Sequence, residues 1–365
     1  MYKKQNLKIK LLYLPEYPFY LRLAEINKGQ RAWDLYTYVI QVAAQYGINA
    51  DTISMESKIL LKMPMSYKIR GFLQAVKALF VLYRYDVVLA WRGPCVPILI
   101  ARFFFRWRKP KIISIAWRPF DTECNGLKYH FKKIFAKITA SMTDRIIVVS
   151  SLQVKQFSDI LGVQEEKISF LPYGVDCKFF KPLKNKVWKE PFFVTVGNVY
   201  RDDGLLLDVI KDMPVRMVRV TRFASVDKNI KKEAMRKKLK NVTVRLDISY
   251  AKLIDLLRES SFVVLPLIPT DQPVGLTALM EAMALGKTVI VTKGLESADY
   301  VFEGETGILV KAGDKLQLKR NILELLRNTK KRGRIGLAAR RAMEEKFSLE
   351  IVSRKLVNLI EEVVK

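Results

Sequence analysis

A single histidine and three cysteines in 365 residues leave little material for a metal centre or a disulfide framework. His130 stands among Lys128, Lys132 and Lys133 and reads as a surface residue. Cys95, Cys124 and Cys177 show neither paired nor metal-ligand spacing, and their odd number fits a reducing cytoplasm. No Asp-x-Asp pattern stands near a loop suited to a phosphorylated ligand, so neither a metal nor another cofactor is expected. Long apolar runs are also missing, and nothing approaches the ~20 residues that cross a bilayer. Leu7 to Leu14 alternates with Lys and stops at Pro15, the pattern of a first strand rather than of a signal segment. Internal repeats of ~20 to 50 residues and low-complexity tracts are absent too, which excludes solenoids and disordered tails.

Acid is scarce. Asp and Glu number 36 against 64 Lys and Arg, a formal charge of +28. From Lys58 to Arg118 the one acid is Asp86, and further basic stretches run from Lys228 to Lys240 and from Lys330 to Arg341. Such charge draws polyanions, either nucleic acid or an anionic membrane surface, the latter with about 1 kcal/mol per nearby basic residue.

What is present is an even alternation of short apolar runs and helical patterns, in a chain half apolar and long enough for two domains. Strands are predicted at 7–14, 48–53, 86–91, 111–117 and 145–150, with helices at 33–46, 67–85, 97–108 and 127–141 between them. The second half repeats the alternation, with strands at 192–196, 215–220, 242–246, 262–267 and 288–292. Its helices are predicted near 205, at 228–240, at 250–259 and around Glu281, and three more at 315–327, 332–346 and 349–364 finish the chain. Strand-helix units of this kind form parallel sheets, and two series predict two Rossmann-like lobes.

The stretch from Asp271 through Gly275 to Lys287, followed by Thr288-Val-Ile-Val-Thr292, carries the most chemistry. A Pro/Gly loop delivers the chain to a helix start, where unpaired N–H groups and the helix dipole favour phosphate. Leu276, Leu279, Met280 and Met283 share one helical face, while Thr277 and Glu281 lie four apart on another. Glu281 leans back toward the helix start, and a carboxylate there suits the hydroxyls of a neutral diol such as ribose.

This segment resembles the donor site of the family 4 glycosyltransferases of the GT-B fold, in which a Gly-rich loop opens a helix ending Glu-Ala-Met-Ala-x-Gly-Lys. Further segments agree in order: Asp144 to Ser150, Lys167 to Asp176 with Phe180 to Pro182, Val194 to Asn198 with Arg201-Asp202, Ser260 to Pro266, and Glu303 to Val310. The likeness is close over roughly residues 144–350 and loose before that. It implies an α/β GT-B protein with two Rossmann-like domains facing a central cleft. The expected domains are 1–180 for the acceptor, 181–346 for the nucleotide-sugar, and a helix over 347–365 that crosses back to the first. It also implies a retaining, metal-independent transferase.

The same resemblance directs the site. Gly197, Asn198, Arg222, Asp271, Gly275, Leu276, Thr277 and Glu281 are the expected donor-binding residues, with Glu281 on the ribose. Arg201 is expected to meet the charge that develops on the leaving diphosphate, because its planar fork matches phosphate oxygens. Three departures stand out. Relatives carry an Arg after the loop Gly and a Lys before the next, where this chain has Asn198 and Asp203. Relatives place an acid eight residues before the helix Glu, where this chain has Pro273. Relatives often place a His after the fourth strand, where this chain reads Ala116-Trp-Arg118-Pro-Phe-Asp121. Arg118 and Asp121 are therefore the expected catalytic-side polar groups of the first lobe, although an Asp after a strand also serves as a cap.

Phe103, Phe104, Arg106, Trp107, Arg108 and Lys109 mix rings with cations as a bilayer interface requires, and membrane contact is expected there. In the 67–85 helix the aromatic residues Phe72, Phe80 and Tyr83 are expected to be core. The resulting expectation is a transferase at the inner membrane face that moves sugar from a nucleoside diphosphate donor to a lipid-linked or polysaccharide acceptor. A non-catalytic partner of the same fold, a nucleic-acid binder and an epimerase stay open as alternatives. No zinc knuckle, RNP-type or helix-turn-helix signature supports the nucleic-acid binder.

Overall fold

Strands and helices alternate throughout a computed structural model that describes residues 9–55, 67–116, 118–119, 126–183 and 191–365. Expectations attached to Lys58, Lys62, Asp121 and Cys124 fall outside those residues. The chain divides into two compact units. One comprises residues 1–29, 33–172 and 350–365, the other residues 30–32 and 173–349.

The first unit is built on a parallel sheet of β1 (Ile9–Leu14), β2 (Ile48–Thr52), β3 (Val87–Trp91), β4 (Lys111–Ile115), β5 (Arg145–Val148) and β6 (Ile168–Phe170), in the order β2-β1-β3-β4-β5-β6. Leu11 faces Val87 and Val87 faces Lys111 across neighbouring strands. β1 and β3 are nearly continuous apolar runs because a parallel sheet is covered on both faces, and Leu11, Leu12, Leu14, Val88 and Ala90 are buried. Helices Phe19–Asn27, Leu35–Val42, Tyr67–Leu79, Arg92–Phe105, Leu127–Met142 and Leu152–Leu161 connect the strands. Leu35–Val42 starts at Asp34, whose carboxylate accepts from the Thr37 amide at 3.1 Å and satisfies one of the first-turn donors.

The second unit is built on β7 (Phe192–Val196), β8 (Arg216–Thr221), β9 (Val242–Leu246), β10 (Phe262–Leu265), β11 (Val289–Thr292) and β12 (Ile308–Val310). These pair in parallel in the order β12-β11-β10-β7-β8-β9. Helices Asp203–Val209, Ala224–Arg236, Tyr250–Glu259, Leu276–Ala284, Lys315–Arg327 and Thr329–Lys346 lie between and after them. Phe193, Phe262, Ile290, Leu318, Ile322 and Ile335 are buried together in its core.

Some sequence expectations need correction. The helix expected from Pro97 begins at Arg92. Pro94 falls in its first turn, where no intrahelical N–H bond is lost, so only Pro97 removes a bond. The 67–85 helix stops at Leu79 and gives way to a short 3-10 turn at Leu82–Arg84. Phe72, Phe80 and Tyr83 are exposed, not core. Phe19–Asn27 starts after Pro18 with no side-chain cap, so the usual start signal is missing there.

Two glycines set how the Glu281 helix is held. Gly286, with φ +70°, ends Leu276–Ala284 in the left-handed region, and its carbonyl oxygen lies where a Cβ on Gly336 of Thr329–Lys346 would sit. The same helix sends Arg340 to the Ala284 carbonyl and, at 2.8 Å, to the Cys177 carbonyl, and it also donates to Phe180 O. Gly336→Ala is therefore expected to destabilise the protein by at least about 2 kcal/mol, because backbone must move to admit the methyl. Urea unfolding followed by circular dichroism would show the midpoint fall, and an unchanged midpoint would mean the two helices separate at no cost.

Candidate functional site

The strand order of the second sheet reverses between β7 and β10, and in open parallel sheets the crevice at the carboxyl ends of such strands is where ligands sit. β7 runs out into Gly197-Asn198 and on to Arg201. β10 runs out into Pro266 and the loop that ends at Gly275. The two segments are laced together, Asp202 N to Pro266 O at 2.9 Å and Ile268 N to Tyr200 O at 3.0 Å.

Arg201 occupies the reversal point. Its Nε donates to the Val196 carbonyl at 2.8 Å and its Nη1 to the Val199 carbonyl at 3.2 Å. Gly197 has φ +140°, and any Cβ there would overlap the guanidinium. Gly275 has φ +83°, and a Cβ there would lie 3.1 Å from Nη2 and 3.3 Å from Nη1. Gly197 is thus needed for close approach, while Gly275 holds a left-handed conformation that favours glycine and leaves little room for a Cβ. Nη2 has no hydrogen-bond partner among the described residues. The cation is 9% exposed, and burial, with the Arg219 cation nearby, lowers its pKa to about 10. It stays charged at neutral pH.

Gly275 is also the cap residue of Leu276–Ala284, with no side chain bonded to the helix start. The N–H groups of Leu276 and Thr277 therefore have no intrahelical partner. Arg201 Nη2 and this helix start present fixed positive charge at one place, the arrangement that receives a phosphate. Leu276 is buried, Thr277 is exposed, and Asp271 is half-buried beside Thr270, whose hydroxyl reaches it at 3.2 Å.

Glu281 lies in the second turn of this helix, buried. The Tyr250 hydroxyl donates to its Oε1 at 2.7 Å. Burial pushes the carboxyl up to about 7, with the Tyr250 hydrogen bond and then the Arg31 charge acting in the opposite direction. Tyr250 itself stacks on Phe179 at 6.2 Å and meets Phe180 edge-on at 6.4 Å, so its hydroxyl is held in place. Glu296 is a second buried carboxyl of this unit. Burial raises it to about 7, while the Arg201 charge pulls it down.

The substituted loop positions have partners of their own. Asp203 pairs with the fully buried Arg219, Nε to Oδ1 at 2.7 Å and Nη2 to Oδ2 at 3.1 Å. Arg219 Nη1 then donates to the Gly197 carbonyl at 2.8 Å. A cation on β8 beneath the loop thus accompanies the acid that stands where relatives have a Lys. Asn198 accepts from the Arg222 amide at 2.8 Å, which pins the end of β8. The Arg222 side chain is exposed and reaches Asp247 at 3.5 Å.

In the first unit the sheet order reverses between β1 and β3. The residues just past these strands and β4 form a cluster. Arg92 Nη1 donates to the Arg118 carbonyl at 2.9 Å. Glu16 lies so close to Gly93 that a Cβ there would meet its Oε1 at 2.9 Å. Burial raises the Glu16 carboxyl and Arg118 opposes that. Among the residues expected to touch a membrane, Phe103, Phe104, Arg106, Arg108 and Lys109 are exposed. Trp107 is not: its ring is half-buried against the β1-β3 core, stacked on Phe105 at 6.0 Å.

Sequence reading missed Tyr250, Glu296, Arg219, Glu16 and Arg92. Arg219 left a signal, a charge in mid-strand between Met217-Val218 and Val220, in a pattern that otherwise reads as buried on both faces. The others left none, since they meet their partners only through the fold.

With this geometry in place, the class of the protein follows from comparison. Residues 179–342 match the family model described as Glycosyl transferases group 1, and the fold matches solved GT-B glycosyltransferases. The chain thus carries a glycosyltransferase group 1 domain over residues 179–342 and has the GT-B fold. It is 25% identical over 290 residues to an uncharacterized glycosyltransferase of Methanocaldococcus jannaschii, covering 71% of this chain and 70% of that protein. It is 25% identical over 276 residues to the capsular polysaccharide biosynthesis glycosyltransferase CapM of Staphylococcus aureus, covering 70% and 71%. Among solved structures, a glycosyltransferase from Rickettsia africae ESF-5 superposes with a TM-score of 0.76 at 17% identity over 98% of this chain and 99% of that one. Anabaena HepE in complex with UDP gives 0.69 at 17% identity over 98% and 100%.

The raised carboxyls make stability depend on pH. Each binds its proton more tightly folded, near 7, than unfolded, near 4.5. Between those values the folded state holds more protons, so stability falls as pH rises. Glu281→Gln keeps an acceptor for Tyr250 but removes the ionisation. It is expected to match the wild type at pH 4.5 and to exceed it at pH 8 by up to about 3 kcal/mol. Urea midpoints at the two pH values check this, and equal midpoints at pH 8 would mean that Glu281 titrates normally.

Proposed function

We propose that this glycosyltransferase takes its sugar from a nucleoside diphosphate sugar, of uridine type, bound at the β7-β10 reversal of the second unit. The observation that carries the reading is the Arg201 guanidinium, backed by two carbonyls, with Nη2 open beside the bare start of the Leu276–Ala284 helix. In this reading the diphosphate lies on Arg201 and on the N–H groups of Leu276 and Thr277. Negative charge develops on that diphosphate as the anomeric C–O bond breaks, and a fixed cation there lowers the barrier without needing to reorganise. A divalent ion is then not required. Glu281, with Oε1 taken by Tyr250, uses its remaining acceptor capacity for the ribose hydroxyls. UDP is chosen because HepE, of the same fold, is solved with UDP.

The acceptor is a lipid-linked or growing polysaccharide chain, a choice supported by the naming of CapM for capsular polysaccharide biosynthesis. In the first unit, the Glu16, Arg92 and Arg118 cluster is the polar ground for an acceptor hydroxyl. Retention of anomeric configuration follows from the family 4 resemblance. The enzyme works as a peripheral protein on the cytoplasmic membrane face, where Phe103, Phe104, Arg106, Arg108 and Lys109 offer rings and cations to lipid headgroups. Among the described residues no helix is long and apolar enough to cross a membrane.

Thermal unfolding with UDP-, GDP- and ADP-sugars, each with and without EDTA, tests the donor site. A donor at a hundred times its dissociation constant stabilises the native state by about 2.7 kcal/mol. The uridine donor is expected to raise Tm, with EDTA making no difference, and Gly275→Val and Glu281→Ala are each expected to abolish the rise. A rise with GDP- or ADP-sugar alone would correct the base. A rise that survives both substitutions would put the nucleotide elsewhere.

A further inference from the structure

The helix Leu127–Met142 turns its large apolar side chains away from the protein. Leu127, Phe131, Ile134, Phe135 and Ile138 follow the i, i+4, i+7, i+8, i+11 spacing that lines one helical face, and they are 79%, 71%, 57%, 42% and 40% exposed. The opposite face, Ala136, Thr139 and Ala140, is small and buried against the core. A helix in a soluble domain has these reversed. At 100° per residue, Lys128 and Lys132 border the outward stripe on one side and Lys133 and Lys137 on the other.

We infer that this stripe is a bilayer-docking element, lying in the plane of an anionic membrane with Phe131, Ile134 and Phe135 below the headgroups. Charge decides the occupant. The three adjoining helices Tyr67–Leu79, Arg92–Phe105 and Leu127–Met142 contain no Asp or Glu, only Lys and Arg. A second copy docked by this face would bring like charges together, whereas lipid phosphates on both flanks of the stripe pair with the lysines while their stems lie along the acyl boundary. The neighbouring helix Arg92–Phe105 ends in exposed Phe103, Phe104 and Phe105, so rings of the interfacial kind recur beside it. This deepens the membrane part of the proposed function, but it stands on the surface of one helix and not on the donor site.

Flotation of the full chain with vesicles of phosphatidylglycerol and phosphatidylcholine, against phosphatidylcholine alone, tests it. The wild type is expected to float with the anionic vesicles only. Phe131→Ser with Ile134→Ser, and separately Lys128→Glu with Lys137→Glu, are each expected to weaken binding at least tenfold while circular dichroism and the nucleotide-sugar thermal shift stay unchanged. Wild-type binding by the Phe131/Ile134 variant would overturn the insertion. So would light scattering that finds a dimer dissolved by those substitutions with no flotation of the wild type, since the stripe would then be a self-association face. A wild type that floats as expected but shows no donor shift would sink the donor reading and leave this one standing.

Discussion

One guanidinium fills the space that two side chains would need. Arg201 lies against Gly197 and Gly275 at once; a Cβ at Gly197 would overlap it, one at Gly275 would crowd it, and both glycines hold positive φ. The parallel sheet brings them together, since β7 and β10 are neighbours and the loops at their carboxyl ends meet at the order reversal. Arg219 and Asp203 then support the loop from below through the Gly197 carbonyl. A buried ion pair of this kind contributes little net stability, but removing one partner leaves an uncompensated charge, so the pair keeps the loop in one arrangement.

Glu281 is held by a second chain of contacts that starts far from it in sequence. Arg340 gathers the carbonyls of Cys177, Phe180 and Ala284, which ties the 177–180 segment to the end of the Glu281 helix. The rings of Phe179 and Phe180 enclose Tyr250, and Tyr250 directs its hydroxyl at Glu281. The result is a buried carboxyl with one oxygen occupied, which burial raises to about 7. Preorganisation of this type lowers the cost of binding because the side chain has no freedom left to lose.

The first unit carries two different kinds of surface. The strand ends collect Glu16, Arg92 and Arg118, polar groups drawn together by the β1-β3 reversal. The helices from Tyr67 to Met142 carry cations and exposed rings instead, and the apolar content that would ordinarily be read as core is on the outside of Leu127–Met142. Periodicity alone could not distinguish the two cases. A helical stripe has the same spacing whether it faces a sheet or a membrane, and here the packed side is made of the small residues Ala136, Thr139 and Ala140.

The alternation of apolar runs and helices was enough to determine the parallel α/β class, and six segments in order, the Gly275 to Lys287 stretch with Glu281 among them, carried the resemblance to glycosyltransferases. Those signals are local: strand and helix periods, a glycine before a helix start, an acid one turn on. Tertiary structure decided which charges act together. That Asp203 answers Arg219, that Arg222 turns to Asp247, that Tyr250 caps Glu281 and that Trp107 packs against the β1-β3 core all depend on residues that pairing brings together from distant parts of the chain, and periodicity carries no record of such distances.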